Sequence, residues 1–359
     1  MHSELLESDD SLVRTRASHK ASPSLRYKFV DNAKAVGIVL VLLGHSKGMP
    51  AGLLNMIYGF HMPLFFFLSG YLLKPERLAD SPRQAGERLL RTLGVPYVFF
   101  FVLSYVYWLI TRDIGYKAEK FEHVPWYDPF TGLISGLGGD LYVNPPLWFF
   151  PCLLLTALAY HLSRSVLSAR NAVVGMTAVA ALVCLWANDP AYRLPWGLDV
   201  MWVALAFYAA GHYLRDHMVA LARLIKAGVP LWVAILVGWV LLSVVNGHAD
   251  LAEMRFGSEP LLYIPVAVLG IVMVLIGAHL MPALRITRWL SDNTLIIFPT
   301  HMLVFSVING AASATRLVPV NQQYEVLWGL SVTATTLLLS VPVVYLLRRS
   351  VPAMLGRSA

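Results

Sequence analysis

The sequence predicts an all-α bundle of about ten transmembrane helices with both termini on the cytoplasmic side. Three observations carry that prediction. The 359 residues are 57% hydrophobic and only 14% charged, a balance that would leave a water-soluble globule with excess apolar surface and makes the bilayer the natural solvent. The apolar residues fall into ten runs, most of them near the roughly 20 residues needed to cross a hydrocarbon core of about 30 Å. The Lys and Arg residues between those runs are unevenly shared between the two sides.

The runs cover approximately 30–46, 53–73, 92–111, 146–162, 171–187, 197–214, 227–245, 261–281, 293–312 and 326–347. The first is the weakest, because its apolar core extends only from Ala35 to Gly44; it can equally be read as a short helix dipping into the membrane beside protein. With the N-terminus inside, only Lys47, Arg112, Lys117, Lys120, Arg193, Arg255 and Arg316 of the 28 basic residues fall outside. A miscount of one run would invert every later loop and destroy this asymmetry. Acidic residues divide nearly evenly, so the bias belongs to the basic ones, as the positive-inside rule requires.

The chain then divides into a polar cytoplasmic segment 1–28, a membrane region 29–347 and a cytoplasmic tail 348–359. The first segment has no apolar core, so no cleavable signal peptide is expected and the first span directs insertion. One long external loop covers about 112–146; Trp126, Tyr127 and Tyr142 in it, with Trp148 just beyond, suit the aromatic belt at the interface. The sidedness accounts for the net charge of +7, which argues against a nucleic-acid partner and for the lipid bilayer. Cys152 and Cys184 lie in apolar runs and read as small core residues, with no disulfide or thiolate metal site.

Ionisable side chains inside a membrane are costly, which makes each a functional candidate. His45, His61 and His301 qualify by depth. Lys34 and His45 are eleven residues apart, about 1100° of helical rotation and about 16 Å of rise, so both lie on one stripe. Asp31 precedes Lys34 by three and can pair with it at the inner mouth. The bland alternative is that Lys34 snorkels and His45 caps a helix end. In the second run Pro63 removes a backbone donor and can kink the helix; His61 reads either as one of a pair of imidazoles with His45 or, more plainly, as bonding a carbonyl freed by Pro63. His61 is expected at a depth comparable with His45. His301 follows an expected helix start at Ser291–Asp292–Asn293, and a structural role against another helix is its plainer reading.

The run Phe29-Val30-Asp31-Asn32-Ala33-Lys34-Ala35, the piece Val41-Leu42-Leu43-Gly44-His45 and the run from Phe60-His61-Met62-Pro63 to Phe67-Leu68-Ser69-Gly70 together resemble the acyltransferase-3 family of integral membrane acyltransferases. The likeness is greatest to the fucose 4-O-acetylase type that modifies exopolysaccharides and other surface glycans. Further pieces fall in order: Arg91 with Val95-Pro96-Tyr97, Leu147-Trp148-Phe149-Phe150-Pro151, Asp199 with Gly211-His212-Tyr213, and Leu290-Ser291-Asp292-Asn293-Thr294 with Thr300-His301. Many members of the wider family carry Arg where this chain has Lys34, and an ammonium cannot make the bidentate phosphate contact of a guanidinium.

The resemblance implies a bacterial inner-membrane O-acetyltransferase. It would move an acetyl or other short acyl group from acetyl-CoA, a co-substrate and not a bound cofactor, to a sugar hydroxyl of a glycan or lipid-linked oligosaccharide. His45 is then the expected general base, since neutral imidazole can take the hydroxyl proton near neutral pH. His61 would relay the proton or steady the oxyanion. An acetyl-histidine intermediate is the other chemical option. Lys34, Arg88 and Arg91, supported by Asp31, would hold the anionic donor. Trp148 and Asp199, near outer ends, would hold the acceptor by stacking and by accepting hydroxyl hydrogen bonds.

Two rival patterns carry less. His123 and Asp128 match the His-x4-Asp spacing of glycerolipid acyltransferases, but in the external loop and without a following phosphate motif. No metal site is expected, because the membrane histidines lack close spacing and carboxylate partners. The alternative from another class is a proton-coupled transporter or glycan flippase, against which stand the missing inverted repeat and the scarcity of mid-membrane carboxylates: Asp31, Asp199 and Asp292 all lie at span ends. Nothing in the sequence fixes an oligomeric state.

Overall fold

A computed structural model describes residues 23–217, 228–315 and 326–356. The polar segment before Pro23 and the basic residues Arg223, Lys226, Arg316 and Arg357, all part of the sidedness argument, lie outside the described residues. The chain opens with α1 (Pro23–His45), α2 (Ala51–Tyr58) and α3 (His61–Leu72). Helix α4 (Pro82–Leu89) leads through a π turn, Leu90–Gly94, into α5 (Val95–Thr111). Two short helices, α6 (Tyr116–Phe121) and α7 (Pro129–Ser135), precede α8 (Phe149–Ser163) and α9 (Ala169–Trp186). Then come α10 (Leu198–Asp216), α11 (Gly228–Asn246), a two-residue hairpin of β1 (Ala249–Asp250) and β2 (Arg255–Phe256), α12 (Tyr263–Leu280), α13 (Arg285–Ala314) and α14 (Val326–Ser350).

The molecule is an all-α polytopic bundle. Among the described residues eight helical stretches are long and apolar enough to cross a membrane: 51–72, 82–111, 145–163, 169–186, 228–246, 260–280, 285–314 and 326–350. Helices α1 and α10, the other two expected spans, are 23 and 19 residues long. They carry Lys28, Asp31 and Lys34, and Asp199, Arg215 and Asp216, which lower their apolar character. Their position explains why the sequence can spare it. Ala33, Ile38, Val41 and Leu42 of α1 and Val200, Val203, Ala204 and Ala209 of α10 are completely buried, so both helices are solvated largely by protein. Helices α9, α11 and α14 instead turn large apolar side chains outward, among them Leu182, Val244 and Leu338, as lipid-facing helices do.

Side-chain contacts fix the helix directions. Phe29 at the start of α1 meets Tyr71 at the end of α3, ring centroids 5.5 Å apart, so these two are antiparallel. Lys34 and His45 of α1 meet Ser291 and His301 of α13 in the same order, so α1 and α13 run parallel. Helix α14 returns antiparallel to α13, with Trp328 bonded to Asn309 and Arg348 to the Asp292 carbonyl. The closest backbone approach is between α3 and α10. A Cβ placed on Gly70 would overlap the Tyr208 carbonyl, and one on Gly211 would overlap the Phe67 carbonyl, so each glycine admits the other helix's backbone.

Two expectations about local structure are corrected. Helix α13 starts at Arg285, six residues before the expected Ser291, and Ser291 and Asn293 sit inside it. Their side chains bond without ending the helix: Ser291 Oγ donates to Asp31 Oδ1 at 2.7 Å and Asn293 Nδ2 to Trp289 O at 2.7 Å, while Asn293 Oδ1 has no partner among the described residues. The second span is interrupted at Gly59–Phe60, where Phe60 has φ −145° and ψ −18°, and not at Pro63. Pro63 falls in the first turn of α3, where backbone N–H groups lack intrahelical partners, so its missing donor costs nothing there.

Candidate active site

The helix break between α2 and α3, the end of α1 and the middle of α13 converge on three imidazoles and a phenol. His45 is the last residue of α1. The turn after it is fastened by Ser46 Oγ, which bonds Leu42 O at 2.9 Å and Thr333 Oγ1 of α14 at 2.6 Å. Tyr58, the last residue of α2, donates its hydroxyl to Gly44 O at 3.1 Å and lies 3.4 Å from His45 Nδ1. Its ring stands edge-on to His61 at 5.1 Å and to His45 at 6.0 Å. His61, the first residue of α3, bonds through Nδ1 to Ile57 O at 2.8 Å, a carbonyl at the end of α2. His301 bonds through Nδ1 to Phe298 O at 2.5 Å, and its ring centroid is 5.1 Å from that of His45.

These bonds set the tautomers. A carbonyl oxygen only accepts, so His61 and His301 must carry their proton on Nδ1 and present a lone pair at Nε2 when neutral. The Tyr58 proton is directed at Gly44 O, which leaves the phenolic oxygen to accept from His45 Nδ1–H. All three neutral rings therefore offer Nε2 as a proton acceptor. They differ in access: His61 and His301 are 2% and 0% exposed, whereas His45 is half-buried. Of the three, His45 is the most accessible.

At the other end of the α1–α13 contact, Lys34 Nζ donates to Ser291 O at 2.7 Å, and the same serine's hydroxyl holds Asp31. Asp31 and Lys34 thus meet on one residue of α13. Ile38 and Val41 lie between Lys34 and His45 on the stripe, and both are completely buried. Arg88, in the last turn of α4, is paired with Asp80 before that helix, Nε to Oδ2 3.1 Å, and Arg91 is exposed in the π turn. Asp199 is engaged on both oxygens: Arg193 Nε and Nη2 reach it at 2.6 and 3.4 Å, and the Val200 and Leu194 amides at 2.8 and 3.2 Å. Trp148 is turned inward, 7% exposed and edge-on to Phe149 at 6.2 Å, while Trp126 and Tyr127 point outward.

Sequence reasoning passed over Tyr58 and Asn144 and took Ser291 only as a helix start. Asn144 Nδ2 bonds Pro299 O and Ser104 Oγ, both at 2.8 Å, and so ties the loop before α8 to α13 two residues from His301. A hydroxyl or amide among apolar residues is the only signal they give, and it is weaker than that of an ionisable group. The hairpin between α11 and α12 was also missed. It docks on α2 through His248 Nδ1 and Asn55 Oδ1, 2.9 Å apart, with Asp250 and Glu253 close enough to Tyr58 to act on it electrostatically.

Asp250 is a strongly perturbed carboxyl. Burial, and secondarily the neighbouring Glu253, push its pKa up to about 6. The folded hairpin therefore favours protonated Asp250 more than an opened one does, and docking gains as pH falls through about 6 toward the ordinary carboxylate value. Hydrogen exchange of the Phe256 and Ser258 amides, corrected for the intrinsic rate, is expected to slow between pH 7 and pH 5. Asp250→Asn should remove the trend; protection that is flat or falls in the unmodified protein would contradict it.

Residues 27–345, nearly the whole helical region, match the family model described as an acyltransferase domain, that of acyltransferase-3. No curated protein and no solved structure matches the chain. The matched span runs from within α1 through most of α14, and contains His45, Tyr58, His61, Ser291 and His301. This chain belongs to the acyltransferase-3 family and is a multi-pass membrane acyltransferase.

Proposed function

We propose that the protein transfers an acetyl group from acetyl-CoA to a sugar hydroxyl of an exopolysaccharide, its lipid-linked precursor or another surface glycan, in a bacterial inner membrane with both termini cytoplasmic. The observation that carries this reading is His45: a half-buried imidazole at a helix end, its Nδ1 held by Tyr58, with Nε2 left to take a proton. A sugar hydroxyl is a poor nucleophile until a base removes its proton during attack, and a positioned imidazole does this at neutral pH. The hydroxyl oxygen bonds the thioester carbon, the carbon–sulfur bond breaks, and the proton held by His45 passes to the departing thiolate. His61, bonded to Ile57 O, keeps Tyr58 in place by ring contact and supports the base from behind.

The donor's phosphates are assigned to the inner end, where Lys34, braced by Ser291 beside Asp31, supplies a cation and Arg88 and Arg91 lie at the start of the third span. Trp148 and Asp199 remain the proposed acceptor contacts. Membrane vesicles carrying the protein, given radiolabelled acetyl-CoA, are expected to label their glycan fraction. The producer's surface polysaccharide is expected to lose one acetyl mass per modified sugar when the protein is deleted. Label that stays in coenzyme A, with an unchanged polysaccharide mass, defeats the assignment.

A further inference from the structure

We propose that His301 is the proton-sharing partner of His45 in the transfer step, a positioning residue that acts through His45 and is more than a core side chain of the bundle. The inference rests on the reading that His45 takes the acceptor hydroxyl proton, and it adds a second imidazole to that step.

Three observations lead to it. His301 is completely buried, and its Nε2 has no hydrogen-bond partner among the described residues. Buried polar atoms are nearly always paired, so an orphan at a functional centre marks a group waiting for a donor. Its Nδ1 proton is committed to Phe298 O, so the orphan atom offers a lone pair and no proton. Finally, of the two buried imidazoles at this site it is His301 whose ring stands against His45, at 5.1 Å with a 36° tilt, whereas the ring neighbour of His61 is Tyr58. A residue needed only to fill this part of α13 would not have to be polar: Phe298 and Phe305 already pack on the His301 ring, at 6.2 and 5.5 Å.

The surroundings leave few other places for the charge. From α2 the pair faces Tyr58, and from α3 it faces His61. From α5 the contact to α13 is Tyr107 on Ser306, and from α14 the contact beside His45 is Thr333 on Ser46. The turn before α8 offers only Asn144, on the Pro299 carbonyl. Lys34, on α1 itself, is about 16 Å along the helix. Among the described residues no carboxylate hydrogen-bonds either ring, so nothing plays the part that an aspartate plays behind a catalytic histidine.

In the step itself the acceptor O–H breaks and its proton goes to His45 Nε2, while the oxygen bonds the acyl carbon. His301 Nε2 accepts a share of that proton and keeps its own on Nδ1 against Phe298. As the carbon–sulfur bond breaks, the thiolate takes the proton from the pair, and both rings return to neutral. One proton enters and one leaves, with no other reactant.

The test uses membrane vesicles with their native glycan pool and radiolabelled acetyl-CoA, and compares His45→Gln, His61→Gln, His301→Gln and His301→Ala, each rate taken per molecule of protein in the membrane. His301→Gln is expected to lower the maximal rate about 100-fold while the acetyl-CoA concentration at half-maximal rate moves less than about threefold. Added azoles are expected to restore His301→Ala in order of their basicity, imidazole above 1,2,4-triazole, which a space-filling role would not produce. Should His301→Gln fail to accumulate, the azole series decides. The proposal is overturned if His301→Gln stays within about threefold of the unmodified rate, or if azoles act without regard to basicity. In either case an inactive His45→Gln leaves the base assignment standing, whereas an active His45→Gln removes the reading on which the proposal rests.

Discussion

His45→Ala is expected to lower acyl transfer by about 10²–10⁴-fold, the usual contribution of a positioned general base, while leaving the amount of protein in the membrane unchanged. Position explains the separation of the two effects. The end of α1 is held by Ser46 through Leu42 and Thr333, and by the Tyr58 hydroxyl on Gly44, and none of these bonds uses the His45 ring. The ring is half-buried, so its loss opens little new cavity. Label transferred from acetyl-CoA to glycan, divided by membrane-resident protein, measures the effect; full retained transfer would falsify the base assignment. His45→Gln keeps most of the volume and should be equally inactive, which separates chemistry from packing.

The largest expected effect on folding is at the α3–α10 crossing. Gly70→Ala or Gly211→Ala places a methyl group on a backbone carbonyl, and backbone cannot turn aside as a side chain can. Overpacking of this kind costs about 1–3 kcal/mol and sometimes more. Either variant is expected to reduce membrane accumulation several-fold and to lower the thermal midpoint in detergent. Gly86→Ala on α4 is the internal control, because a Cβ there meets nothing within 4 Å. It should be neutral or mildly stabilising. Equal behaviour of the three variants would show that the crossing is not the tight point.

The helical architecture was legible because the bilayer imposes length and composition on each span. The expected runs 171–187 and 326–347 correspond closely to α9 (Ala169–Trp186) and α14 (Val326–Ser350). The first run was harder to read: its apolar core covers Ala35–Gly44, yet α1 extends back to Pro23. A charged helix looks short by hydropathy when it is the neighbouring protein, and not lipid, that receives its charges, as Ser291 receives Asp31 and Lys34. Pro63 misled for a related reason. A proline marks a kink only in a helix interior, and whether position 63 is interior depends on the break at Gly59–Phe60, which has no comparable sequence mark.

The site was legible only along one helix. The eleven-residue spacing of Lys34 and His45 placed them on one face, and both do turn toward α13. Nothing in a single sequence joins His45 to His301, which lies 256 positions away, or brings the hairpin carrying Asp250 to Tyr58. Those meetings are products of tertiary packing, which local periodicity does not encode.

Ile38 and Val41, filling the stripe between Lys34 and His45, have a consequence for the cell's energetics. A protein with an ionic cluster near one face and imidazoles toward the other is close to being a proton wire, and a wire would drain the membrane potential. Two completely buried aliphatic side chains stand on the line between those groups. On the proposed function, a donor arm passing between α1 and α13 would have to part these residues and restore them within each turnover.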